Sequence, residues 1–88
     1  MDRQVRIYLE DTGCQHLIIK TIGKYVDSYT LVPAIGVYRG VQEKTLIIEI
    51  LTDRRNSGLL ESLCVELRDL CQQDCVLMAV TKCNAKLI

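Results

Sequence analysis

The chain has 88 residues, in which eleven Lys and Arg balance eleven Asp and Glu, and 49% are hydrophobic with four Tyr but no Phe or Trp. Balanced charge removes the long-range attraction that nucleic acid or an anionic membrane would exert, and no apolar run approaches the ~20 residues of a membrane span. A chain this short makes one domain, expected over 1–88, and buries only about 60–65% of the surface its unfolded form exposes. Its small core of Leu, Ile and Val suits a sheet covered by helices.

Val5, Ile7 and Leu9 alternate with Gln4, Arg6, Tyr8 and Glu10, the period of two of a half-buried strand. Met1-Asp2-Arg3-Gln4 leads straight into it without the apolar stretch of a leader, so the expected location is the cytoplasm, or the host cytoplasm for a phage protein. Asp11-Thr12-Gly13 supplies turn chemistry, and Leu17, Ile18, Ile22, Tyr25 and Val26 then recur at helical spacing up to Asp27-Ser28. Tyr29 to Tyr38 reads as a strand which Pro33 and Gly36 assign to an edge or a bulge. Arg39 to Glu43 is expected as a polar connection, and Lys44 to Leu51 as the next strand, with Leu46, Ile48 and Ile50 on one face.

Asp53 to Ser57 reads as a loop ending in an N-cap. Leu59, Leu60, Leu63, Cys64, Leu67, Leu70 and Cys71 then form an apolar helical stripe. Gln72-Gln73-Asp74 ends that helix, and Cys75 to Thr81 returns as a strand, with a continuation through Cys83, Ala85 and Leu87. The order strand, helix, strand, strand, helix, strand is the ferredoxin-like βαββαβ arrangement of the α+β class, with an antiparallel sheet and two helices on one face. Tyr8, Ile47, Leu51, Leu77 and Ala79 then fall on the open face, an apolar surface that predicts a homo-oligomer, most simply a dimer.

Five cysteines, Cys14, Cys64, Cys71, Cys75 and Cys83, are an odd number and contain no CxxC pair, so neither a closed disulfide framework nor a zinc ribbon is expected. Cys64 and Cys71 share a helical face and read as core. His16 has no partner in the sequence that would make it a general base. These residues predict no enzyme, no catalytic residue, no metal site and no cofactor. The opposing reading, thiol or zinc chemistry, would show itself as unusual reactivity of Cys75 or Cys83.

The segment Gly36 to Lys44 joins two glycines, an aromatic and several charges within nine positions. Tyr38 offers a stacking surface and a hydroxyl, Gly40 a flexible backbone, and Arg39 and Lys44 positive charge for phosphate or carboxylate. Arg54 and Arg55, beside a helix start, add two more cations. The bland alternatives are a solvated hairpin and a solvated loop.

Gly36-Val37-Tyr38-Arg39-Gly40, followed by Glu43 and the hydrophobic run Leu46 to Leu51, resembles the hairpin of small ferredoxin-like proteins of bacteria and their phages. Gln73-Asp74-Cys75-Val76 resembles their step into the last strand. Tyr38 stands where tryptophan is common, and the first helix is poorly matched. The resemblance covers about 29–80 and implies the fold, with Glu43 and Gln73 joining the candidate site, but it implies no reaction. A looser architectural similarity to PII-like and CutA-like proteins implies oligomers that bind small ligands between subunits.

The resulting expectation is a non-catalytic oligomer that binds a small anionic ligand through Tyr38, Arg39, Gly40, Glu43, Lys44, Arg54, Arg55 and Gln73. A phage-encoded sponge for a nucleotide signal of host immunity would be one form of it. The alternative is a protein-interaction module that uses its sheet face or a strand edge to bind a partner protein.

Overall fold

The computed structural model describes Met1 to Ile88. Its elements are β1 (Arg3–Glu10), α1 (Gln15–Ile22), β2 (Thr30–Tyr38), β3 (Val41–Thr52), a 3₁₀ turn (Arg54–Asn56), α2 (Ser57–Leu70) and β4 (Leu77–Lys82). The strands form one antiparallel sheet in the order β2-β3-β1-β4. This is the ferredoxin-like α+β arrangement that the sequence predicts.

The alternation in β1 and β3 decides which face is covered. Val5, Ile7 and Leu9 pair in register with Ile50, Ile48 and Leu46, and cross-strand partners share a face. These six side chains are buried with Ile18 and Ile22 of α1 and Leu60, Leu63 and Leu67 of α2 in one cluster. Each such enclosed aliphatic side chain stabilises the fold by about 1.5–3 kcal/mol. Leu59 and Leu70, expected in the α2 stripe, are exposed instead. The helix is covered along one narrow line, Leu60-Leu63-Leu67-Cys71, so neighbours about one residue off that line face outward.

The remaining differences lie at element ends. Helix α1 stops at Ile22, since Gly23 and Tyr25 donate to the Ile19 and Ile22 carbonyls in a turn and the chain then leaves the helix. Tyr25 and Val26 therefore pack at the edge of the core from outside the helix. The turn is fixed by α2: the Tyr25 hydroxyl donates to Glu66 Oε1 at 2.8 Å, and Lys24 Nζ to Glu66 Oε2 at 3.0 Å. Strand β4 begins at Leu77, because Gln72 takes a positive φ of 54° and the chain needs Gln73 to Val76 to turn. Beyond Lys82 the chain still runs beside the N-terminus, with Cys83 and Ala85 donating to the Asp2 and Met1 carbonyls.

The connection between β2 and β3 is also shorter than expected. Tyr38 pairs directly with Val41, leaving only Arg39 and Gly40, at φ 51° and 77°, as the turn. Positive φ at both central positions is the requirement of a type I′ hairpin, whose twist matches that of the strands. Val41 to Glu43 are thereby strand residues and not part of the connection, and Glu43 faces the opposite side from Lys44.

β1 ends at Glu10 opposite Thr45, while β2 and β3 continue as a two-stranded arm with no third strand beside it. Ile35, Val37, Tyr38 and Val41 of this arm are 62–70% exposed. Register places Val32, Ile47, Tyr8 and Leu77 in one row across the open face of all four strands. No helix is long and apolar enough to cross a membrane.

Candidate functional site

Where β1 stops, the arm on one side and the turn from Cys71 to Cys75 on the other enclose a groove of about 680 Å³. Tyr8 and Glu10 come from β1, Gly36 and Tyr38 from β2, Glu43 and Thr45 from β3, and Gln73, Asp74 and Leu77 from the stretch after α2. Alternation explains the convergence. Gly36 and Tyr38, their neighbour Glu43, and the Thr45–Glu10 pair all point to the open face.

The far wall is tied to β1 through one side chain. The Gln73 amide donates from Nε2 to the Glu10 carbonyl at 2.7 Å, and its Oε1 accepts from the Glu10 N–H at 3.1 Å. Gln73 thus acts as a strand would, satisfying both backbone groups at the end of β1. Its amide builds the groove, so both its hydrogen-bonding ends are occupied by protein.

Of the residues singled out in the sequence, Tyr38, Glu43 and Gln73 line the groove and the others do not. Arg39 and Gly40 form the hairpin tip, with the Arg39 guanidinium 5.3 Å from the Tyr38 ring centroid, a cation–π contact. Lys44 faces the opposite side of the arm and pairs with Ile35. Arg54 and Arg55 follow β3 at the other end of the sheet, where Arg55 pairs with Asp53 at 3.5 Å and the Arg54 N–H donates to Asp2. The cations that suggested an anion site are therefore divided between two ends of the molecule.

The groove itself has the other sign. Glu10, Glu43 and Asp74 are its charged residues, and no Lys, Arg or His lines it. Tyr8, Glu10, Thr45 and Asp74 are members that sequence reasoning did not select. Period-two alternation in β1 and β3 placed Tyr8, Glu10 and Thr45 on the open face, but only the register shows that they meet the arm.

Nearby, the Arg6 side chain donates to Glu49 Oε2 at 3.1 Å across the β1–β3 pair. This bond, with a smaller contribution from Tyr8, holds the guanidinium pKa above its ordinary value. A second, smaller cavity of about 290 Å³ lies against α2 and is lined by Cys64, Val65, Cys75, Val76 and Met78 among others. Burial pushes the Cys64 thiol up to about 11, with Glu61 adding to the effect. Burial also raises the Cys71 thiol, helped by the nearby Cys14. All five cysteines are free, and no three His, Cys, Asp or Glu side chains gather in a metal-binding cluster.

Several solved structures share this architecture. A phage SAM lyase in its apo state superimposes with a TM-score of 0.76 at 21% identity, over 92% of this chain and 80% of that one. A DUF3240 family protein from Shewanella baltica gives 0.71 at 14% identity, over 100% and 99% of the two chains. CutA from Synechococcus elongatus, complexed with a Bis-Tris molecule, gives 0.63 at 12% identity, over 91% and 77%. No family model and no curated protein matches the chain.

At these identities the likeness is one of fold, shared by small bacterial and phage proteins. It corrects one expectation. The absence of a nucleophile with its base or of a metal cluster led to the expectation of no enzyme, yet the phage SAM lyase, 21% identical, is an enzyme on the same fold.

Proposed function

We propose that the protein binds S-adenosylmethionine in the groove between the arm and the Cys71–Cys75 turn, and acts on it as a lyase. The observation that carries this reading is the charge of the groove: Glu10, Glu43 and Asp74 stand with Tyr8 and Tyr38 and without a cationic side chain. A sulfonium and an ammonium are stabilised by carboxylates and aromatic faces, whereas the phosphates of an anionic nucleotide would be repelled. The phage SAM lyase, with the same fold over most of both chains, supports the choice of ligand.

A lyase breaks a bond without adding water. As the carbon–sulfur bond of the sulfonium breaks, its electron pair goes to sulfur to give the neutral thioether, and the carbon it leaves forms a bond to the substrate's own carboxylate oxygen, closing a lactone with no proton to place. The protein then needs no nucleophile of its own. It has to hold the substrate in a reactive conformation and keep water away, contributions that arise from orientation and desolvation.

A second copy of the chain completes the reading. On the open face the arm exposes Tyr38 and Val41, and the Val32-Ile47-Tyr8-Leu77 row lies beside them, while Ile35 and Val37 are exposed on the arm's other face. Such a continuous apolar surface belongs to an interface, and covering it would close the groove to solvent. The test is to incubate the purified protein with S-adenosylmethionine and follow the mixture by liquid chromatography and mass spectrometry. Consumption of the sulfonium with release of a thioether nucleoside supports the reading. Unchanged S-adenosylmethionine that also passes through dialysis unretained overturns it.

A further inference from the structure

Gly36 is a glycine that its backbone conformation does not require. The positive-φ glycines are Gly13 and Gly40, whereas Gly36 lies within β2 between Ile35 and Val37. A glycine inside a strand forgoes packing and loosens it, and it often marks a place where something approaches the backbone closely. Here it faces the groove, opposite Glu43 in register and two residues from Tyr38. A Cβ at this position would stand 2.5 Å from Thr45 Oγ1.

We infer that Gly36, Tyr38, Glu43 and Thr45 form a subsite for the 6-aminopurine ring of the ligand. This rests on the reading above that the groove takes an adenosyl compound, and it adds the ligand's orientation and base preference. With no side chain at Gly36, the Thr45 hydroxyl lies against the strand there, and backbone and hydroxyl together make the floor on which a planar ring can lie, with Tyr38 as its wall. Glu43 is an acceptor only, so it matches the two donors of an exocyclic amine and repels a keto oxygen at the same place. The Thr45 hydroxyl, both donor and acceptor, serves a ring nitrogen. The base then occupies the arm end of the groove, and Glu10 and Asp74 remain for the cationic tail.

The inference has a structural competitor, in which Gly36 is required only because Thr45 leaves no room for a Cβ. The experiment separates the two. S-adenosylmethionine, adenosine and inosine are titrated calorimetrically into the wild type and into Gly36→Ala, Thr45→Ala, Gly36→Ala/Thr45→Ala and Glu43→Gln, each checked for folding by its thermal transition. The expected result is that the wild type prefers adenosine to inosine by about ten-fold or more, and that Glu43→Gln removes most of this preference. The double variant, in which the internal clash is gone, should still bind S-adenosylmethionine about ten-fold more weakly than Thr45→Ala.

If the double variant binds as Thr45→Ala does, Gly36 serves only internal packing and the subsite is overturned. Equal affinity for adenosine and inosine in a wild type that binds S-adenosylmethionine also overturns it, while leaving the proposed function standing. A wild type that binds none of the three overturns both.

Discussion

Gln73 holds the end of β1 through Glu10, its side-chain amide donating to the Glu10 carbonyl at 2.7 Å and accepting from the Glu10 N–H at 3.1 Å. Sixty-three residues separate the two in sequence, so this one amide fixes the Cys71–Cys75 turn against the sheet and sets the width of the groove. Each such bond contributes about 0.5–1.5 kcal/mol net. Gln73→Ala is therefore expected to lower unfolding stability by about 1–3 kcal/mol in urea titrations. Hydrogen exchange should show the Glu10 amide losing protection more than those of Val5 and Ile7.

Glu66 makes stability depend on pH. Lys24, and then Tyr25, hold its carboxyl below the usual carboxylate range. A carboxylate whose pKa is lower in the folded state adds stability that is complete above its unfolded value, and that stability is lost as pH falls through the folded one. The stability gap between wild type and Glu66→Gln should thus be present at neutral pH and shrink on acidification below the carboxylate range. The same contact raises the Tyr25 pKa above 10.0, so its contribution is complete below that value and is lost as pH rises through the folded pKa. Chemical denaturation across a pH series reads both limbs.

The hairpin tip is sensitive to its glycine. Gly40 holds a φ of 77°, a conformation that costs an L-residue about 1–2 kcal/mol. Gly40→Ala should lower stability by about that amount. Strand register is fixed by the whole β2–β3 ladder, so far-ultraviolet circular dichroism should be unchanged.

The fold was largely legible because period-two alternation in β1 and β3, and the Leu60-Leu63-Leu67 line in α2, are strong signals of which face is buried. Element ends were less so. Arg39 in the left-handed region gives little sign of itself in sequence, and a five-residue connection was read where two residues suffice. The candidate site was legible only in part: Tyr38, Glu43 and Gln73 were selected, but Lys44 was grouped with Glu43 although strand alternation puts them on opposite faces. Arg54 and Arg55 were grouped with the hairpin because sequence does not show which end of a sheet a loop occupies. The sign of the groove was missed for that reason.

Cysteine reactivity should follow burial. Cys75 is exposed, Cys71 is buried, and the Cys64 thiol is raised to about 11. With the thiolate as the reactive form, alkylation at pH 8 should label Cys75 before Cys71 and Cys64, as read by peptide mass spectrometry over time. Equal early labelling of Cys64 would show that α2 does not pack against the sheet as described.

The apolar arm should govern assembly. Native mass spectrometry of the wild type is expected to show a dimer or a larger oligomer, and Val37→Lys, at a position 70% exposed in the single chain, should shift it to monomer without unfolding it. A wild type that is monomeric at all concentrations would leave the arm for a different protein.

The most direct test of the central claim is calorimetric titration of S-adenosylmethionine into the wild type and into Glu10→Gln/Glu43→Gln. The account predicts saturable, stoichiometric binding that weakens by about ten-fold or more when the two carboxylates are neutralised. The absence of binding to the wild type, or an affinity that the double substitution leaves unchanged, would contradict it.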